Sequence, residues 1–447
     1  MRSFSILSIL VGTALALPSA NPTAPPRKSG TYGRPGGIED IIITAENTLN
    51  GTYHADTTTF VPAHKNKAAA VALSVDLFNN FNENTKAYIS GLDQNDRLVF
   101  VGADGNLIYP SSGGSATPVP INDNIAIPLG GSGQTTTVSL SIPIHSGRIW
   151  MSEGDLYFFM QIAGDGKDSL VQPSPSNLQD KNVNTEWGFV EFTLGPDGRV
   201  DSNISFVDFV GLVAAMKLNG ADGSEQIVKG LKPNGNNLVY FGTGLIGAQD
   251  GVSWKDLAVL GPDDRCKRVV SPNIYMGINP GLFGNYFDSY VNAVYDHYSS
   301  NDLTVDTQNF GTVNCRVSGD VMYCDGYSFG KPSSADIWGC NGGPFANQGD
   351  DKNKAIGARL CAAFHRTTYL IDGGTVQPGP GVDKYYKPFE GKYSDWYSFV
   401  IHSHESDGKG YAFSYDDVKP NGGQDVSGLI AVDNATKMTV WVGGLPE

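Results

Sequence analysis

Residues 173–210 read PSPSNLQDKNVNTEWGFVEFTLGPDGRVDSNISFVDFV, a polar, turn-rich approach followed by two alternating runs joined by a loop holding Gly195-Pro196-Asp197-Gly198. Each run carries an acid among apolar and aromatic neighbours, Glu191 in the first and Asp208 in the second. Strands disfavour carboxylates, so two of them inside apolar runs ask for a reason. Alternation puts Trp187, Phe189, Glu191 and Thr193 on one face of the first strand. It puts Ile204, Phe206, Asp208 and Val210 on one face of the second. If residues 195–203 close a hairpin, the acids lie opposite or diagonal, about 5 or 7–8 Å apart at Cβ. Glycoside cleavage uses such a pair, one carboxylic acid protonating the leaving oxygen and one carboxylate activating water or attacking carbon. Aromatic neighbours would desolvate one acid and suit it to proton donation. The competing reading is a half-exposed sheet with both acids facing solvent.

The rest of the composition is compatible with that chemistry. The 447 residues suffice for two or three domains and a sizeable core. With 11% aromatic residues, 17% charged residues and 55 Gly, the chain reads as turn-rich and mostly β. A formal charge of −15 argues against nucleic acid or an anionic membrane as partner, because phosphate binding is driven by Lys and Arg. It suits a neutral ligand such as a glucan.

Residues 1–20 combine a basic start at Arg2, an apolar core over residues 4–16 and small-residue cleavage options after Ala16 or Ala20, which predicts a signal peptide over 1–16 and a secreted product. No apolar run is long enough to span a membrane. Residues 17–37 are Pro-, Gly- and Ser-rich and read as a disordered leader or propeptide. Sequons at Asn50, Asn203 and Asn434 are compatible with glycosylation. Export favours disulfides among Cys266, Cys315, Cys324, Cys340 and Cys361. Cys315 with Cys324 spans a hairpin-like segment and Cys340 with Cys361 is a second candidate pair, but spacing does not settle the pairing. The spacings match no zinc motif, so no metal is expected.

Short β runs near residues 69–79, 85–91, 97–102, 124–128, 135–144, 147–151 and 156–162, separated by turn signals, predict a β-barrel or sandwich over residues 38–210 that includes the acid-bearing hairpin. Helical spacing over 283–298 and 352–367, with β runs between, predicts a mixed α/β domain over 211–355. Residues 356–447 are expected to return to the core, ending on the strand-like MTVWV at 438–442.

The runs N-V-N-T-E-WGFVEFT and NISFVDFV resemble glycoside hydrolase family 64, β-1,3-glucanases related to thaumatin-like proteins. SEGDLYFFM at 152–160, AIGARLCAAFHRTTYL at 355–370 and GYAFSYDDV at 410–418 agree, so the resemblance runs from about Leu73 to the C-terminus. It implies a thaumatin-like β-barrel domain and a mixed α/β domain flanking a wide groove for β-1,3-glucan, inversion at the anomeric carbon, and short oligosaccharide products. It also implies Glu191 as general acid and Asp208 as general base, without metal or cofactor. The bacterial pattern has Cys where this chain has Val190, which predicts a packing or disulfide difference and not a change of chemistry. On the Glu191 face Trp187 is a candidate for stacking on a sugar and Thr193 for bonding a hydroxyl, with core packing the other reading of Trp187. Asn184 and Asn203 are further substrate-binding candidates. The expected molecule is a monomer; a non-catalytic thaumatin-like glucan binder is the alternative.

Rival motifs carry less. Gly326-Tyr327-Ser328-Phe329-Gly330 fits the nucleophile-elbow pattern, but Lys331-Pro332 follows where a helix is required. His402 and His404 lack a third ligand at recognisable spacing, Glu153 and Asp155 read as turn residues, and His365 reads as a packed residue of a helix.

Overall fold

The computed structural model describes residues 72–446 apart from 165, 347 and 348. The expected signal peptide, leader and Asn50 sequon lie outside the described residues. Two sheets form the main architecture. In the smaller, strands run in the order Glu225–Val228, Ala214–Gly220, Ala435–Val442, Leu73–Asn79 and Thr135–Leu140. The 435–442 strand is parallel to 73–79 and antiparallel to 214–220, so the end of the chain sits in the middle of this sheet. The larger sheet runs Ile430–Val432, Val200–Asn203, Trp187–Leu194, Ile144–Glu153, Thr85–Leu92, Leu98–Val101 and Leu107–Ile108, with Ile127–Pro128 also on 85–92.

The sheets share one core. Leu73, Val75 and Leu77 alternate with half-buried residues and meet Val190, Phe192 and Leu194 in a single apolar cluster. This is a sandwich pattern, inward residues at period two from both sheets. The large sheet ends on the strands 430–432 and 107–108, and no sheet closes on itself among the described residues. The barrel expectation therefore gives way to an open sandwich. The outer face of the large sheet is covered as well: Tyr88, Phe100, Trp150, Phe158, Trp187 and Phe209 build a second apolar cluster there. Val190, where the bacterial pattern has Cys, is fully buried on the inner face, pointing away from Glu191.

Beyond the sandwich lie helices and another five-stranded sheet, Tyr327–Gly330, Val321–Cys324, Thr312–Ser318, Leu303–Asp306 and Val376–Gln377. The helical spacing read over 283–298 resolves into Pro280–Phe283 and Asp288–Ser300, and that over 352–367 into Asp351–His365. Two disulfides, Cys315–Cys324 and Cys340–Cys361, staple this part, while Cys266 is free and buried. Helix Gly235–Asp250 has no counterpart in the sequence reading, since its four glycines (235, 242, 244, 247) mask a helical pattern. Strands 214–220 and 225–228, beyond the expected boundary at 210, belong to the sandwich.

Leu77 is fully buried in the strand flanked by 435–442 and 135–140. Leu77→Ala is expected to cost about 2–5 kcal/mol of stability, read as a lower urea midpoint at unchanged slope.

Candidate active site

The Glu191 strand is set by its neighbours. Glu191 pairs with Arg148 of strand 144–153 on one side and with Asn203 of strand 200–203 on the other. Cross-strand partners share a face, so all three project to the outer side of the large sheet, away from the sandwich core. There the Arg148 guanidinium donates to Glu191 Oε1 from Nε at 3.2 Å and from Nη2 at 3.0 Å. Arg148 Nη1 donates to Gln172 Oε1. The guanidinium carbon lies 4.4 Å from the Phe189 ring centroid and 5.3 Å from that of Trp150. Both members of the ion pair are buried.

Asp208 arrives by a different route from the hairpin expected. Thr193 stands opposite Asp201 and Glu191 opposite Asn203, so odd-numbered residues of both strands share the outer face. Had the second strand run on, Asp208 would have faced the core side. The strand instead stops at Asn203 and the chain leaves the sheet. Ser205 bridges to Tyr411, Phe206 N–H donates to the Tyr411 carbonyl at 2.7 Å, and Tyr411 N–H donates to the Ile204 carbonyl at 3.0 Å. Tyr397 Oη donates to the Phe206 carbonyl at 2.6 Å, and Ser271 N–H donates to the Asp208 carbonyl at 2.8 Å. The chain then folds back on the first strand, where Leu212 N–H donates to the Trp187 carbonyl at 3.0 Å. Glycine is required at this crossing: a Cβ on Gly188 would stand 2.1 Å from the Leu212 carbonyl oxygen, and one on Gly211 2.0 Å from that of Trp187.

The result is a cavity of about 230 Å³ over the outer face, lined by Arg148, Trp150, the loop 172–177, Trp187, Phe189, Asp208, Phe209 and Ile274. Arg268 braces the segment behind it, donating to the carbonyls of Pro175, Val183 and Thr185. Burial pulls the Arg268 guanidinium down to about 10. Asp208 and Trp187 thus stand on the cavity wall, with Glu191 one ion pair behind it through Arg148. Trp187 is only 1% exposed, its ring packed against Phe209 at 4.5 Å and Trp150 at 5.9 Å. Its Nε1 has no protein partner among the described residues, and neither does Asn203 Oδ1. Asn203 is 5% exposed in mid-sheet, which closes that sequon to a glycan in the folded chain. Thr193 is half-buried on the Glu191 face, and Asn184 is exposed on a turn away from the cavity wall.

Sequence reading missed Arg148, Gln172 and Glu186. An arginine in the alternating run GRIWM was the available signal for the first. Glu186 is held by Asn236 Nδ2 at 3.1 Å, and burial, with Glu153 adding to it, pushes its carboxyl up to about 7. Ser328 lies inside strand 327–330 opposite Tyr323, not on a strand-to-helix turn. His365 is a packed helix residue, Nδ1 2.6 Å from Asp395 Oδ2. His365 also lies beside Cys340 and Cys361, but those sulfurs are spent in a disulfide.

A sequence model of the family described as Beta-1,3-glucanase, glycoside hydrolase family 64, matches residues 71–442. The chain belongs to this family. It is 32% identical over 292 residues to the glucan endo-1,3-beta-glucosidase of Cellulosimicrobium cellulans, covering 63% of this chain and 50% of that protein. The chain therefore spans about half the length of the curated relatives it matches. Its fold superposes on the crystal structure of a laminaripentaose-producing beta-1,3-glucanase in complex with laminaritetraose, with TM-score 0.71 and 25% identity over 84% of this chain and 99% of that one. A GH64 beta-1,3-glucanase domain from Clostridium beijerinckii has the same fold at TM-score 0.65 and 22% identity, covering 85% of this chain and all of that one.

The Tyr411 segment that holds the Asp208 approach rests on a charged network. His402, on helix Trp396–His404, meets Glu405 Oε2 at 2.8 Å and Asp416 Oδ2 at 3.2 Å, so it is an ion-pair residue. Asp416 also accepts from the N–H of Ala412 at 2.7 Å. Burial works against the His402 imidazolium, but Glu405 and then Asp416 outweigh it and hold the group up at about 10. A raised imidazole stabilises the fold fully below its unfolded value near 6.5 and less as pH climbs through 10. Stability should therefore fall between pH 6.5 and 10, and His402→Gln should flatten that slope in urea titrations across the window.

Proposed function

We propose that this chain hydrolyses β-1,3-glucan to short oligosaccharides, with Glu191 as general acid and Asp208 as general base in an inverting reaction. The observation that carries the reading is the meeting of Asp208 and the Glu191–Arg148 pair at one cavity, in a chain of a β-1,3-glucanase family. Inversion needs a water between sugar and base, with carboxyls about 6.5–9.5 Å apart. Two strands in register would have fixed a direct or diagonal spacing, whereas a base carried on a separate segment is free of it. Asp208 shares the cavity wall with Trp187, whose ring and Nε1 are both buried. That enclosure favours core packing for Trp187 over stacking on a sugar. Thr193, half-buried on the Glu191 face, is the next polar candidate for a bound chain, Asn184 at most an outer one, and Asn203 is too buried to serve.

The reaction as proposed calls on no metal or cofactor, because both proton transfers are assigned to carboxyls. The glucan is neutral, in keeping with a net charge of −15 that would repel polyanions. Export to the cell exterior or wall, as a monomer, is part of the same proposal. The signal-like residues 1–16 and the two disulfides support export. The thaumatin-like character of the sandwich likewise belongs to the proposal, resting on the sequence resemblance. Among the described residues no helix is long and apolar enough to cross a membrane.

Incubation with laminarin is the test. Wild-type protein should release reducing oligosaccharides, and Glu191→Gln and Asp208→Asn should each lower kcat about 10²–10⁴-fold while preserving fold. Proton NMR should show the α-anomer as the first product. Release of the β-anomer would refute inversion, and binding without sugar release would leave a glucan-binding protein.

A further inference from the structure

We propose that Arg148 is the positioning residue of Glu191, and that through Gln172 it couples this carboxyl to the loop that walls the cavity. The inference rests on the hydrolytic reading above and deepens it. Both guanidinium contacts to Glu191, at 3.2 and 3.0 Å, converge on Oε1. Oε2 has no hydrogen-bond partner among the described residues, and the side chain keeps 11% exposure. With one oxygen held by two donors, the carboxyl cannot rotate freely, and Oε2 is the oxygen left for an incoming glycosidic oxygen.

The third contact makes the coupling. Nη1 reaches Gln172 Oε1, and Gln172 opens the loop 172–177 that forms one side of the cavity. The guanidinium packs against both the Phe189 and Trp150 rings, which themselves touch. A sugar pressing on the 173–177 wall therefore acts on the same planar group that orients the acid. Only a fork can serve both carboxyl and amide in one plane, and a lysine ammonium on its flexible stem cannot. A buried ion pair is weak grounds for stability as such, since desolvation offsets its attraction. One that lines a cavity beside a second carboxylate is better explained by function.

The variants are Arg148→Lys and Arg148→Ala, assayed on laminarin beside wild type, with circular dichroism and thermal melts as fold controls. Both should lose kcat, Arg148→Ala by about 10²-fold, with KM little changed, because the loss is of alignment and not of sugar contact. Guanidinium at sub-denaturing concentration should restore part of the kcat of Arg148→Ala and none to Glu191→Gln, a response that a residue serving only to hold the fold would not give. A folded Arg148→Lys with wild-type kcat and KM would overturn the proposal. So would a folded Arg148→Ala that guanidinium leaves unchanged. If Arg148→Ala does not fold, the Arg148→Lys comparison decides alone. Wild-type protein that releases no sugar would instead overturn the hydrolytic reading beneath it.

Discussion

A carboxylate taken out of water must find compensating charge and hydrogen bonds within the protein, and Glu191 finds them in the residue directly across the sheet. The pairing of strand 187–194 with strand 144–153 puts Arg148 beside it without any loop or insertion. That register is itself fixed by the inner face, where Val190 and Phe192 must reach the sandwich core. A slip of one residue would drive Glu191 into that core and Phe192 outward. The geometry of the site is thus a by-product of apolar packing on the opposite side of the same strand.

Such a strand has to be covered on both faces, and here the two covers differ. The inner one is aliphatic and continuous with the smaller sheet. The outer one is aromatic, with Trp150, Trp187, Phe189 and Phe209 meeting at centroid distances of 4.5–5.9 Å. The cavity lies over this outer cover, and the charged groups sit among rings that limit water around them.

Sequence periodicity reached as far as the first strand. Alternation correctly put Trp187, Phe189, Glu191 and Thr193 on one face, because that information is local. The path of Asp208 was not legible: residues 204–208 look like more strand, and what turns them away lies two hundred residues downstream at Tyr397 and Tyr411 and sixty downstream at Ser271. Arg148 was passed over for a related reason, as a lone arginine in a strand declares itself only when its cross-strand partner is known. Helix 235–250 was hidden by its glycines, one of which, Gly242, allows close packing on Val400 of helix 396–404, where a Cβ would come within 2.6 Å. The residues that break the helical signal are the residues the helix contact needs.

The two acids are therefore held by different parts of the chain. Glu191 belongs to the sandwich, built mainly from the first half. The segment leading to Asp208 is clamped by residues 397–411, whose own placement depends on the His402–Glu405–Asp416 network and on Arg366, which donates to the Asp416 carbonyl at 2.9 Å. An isolated hairpin of residues 187–210 could not reproduce the site, since its natural continuation would carry Asp208 to the wrong face. This is why the family match has to extend over residues 71–442 to be informative: the short acid-bearing motif fixes the residue types, and the remote C-terminal third fixes where the second carboxylate stands.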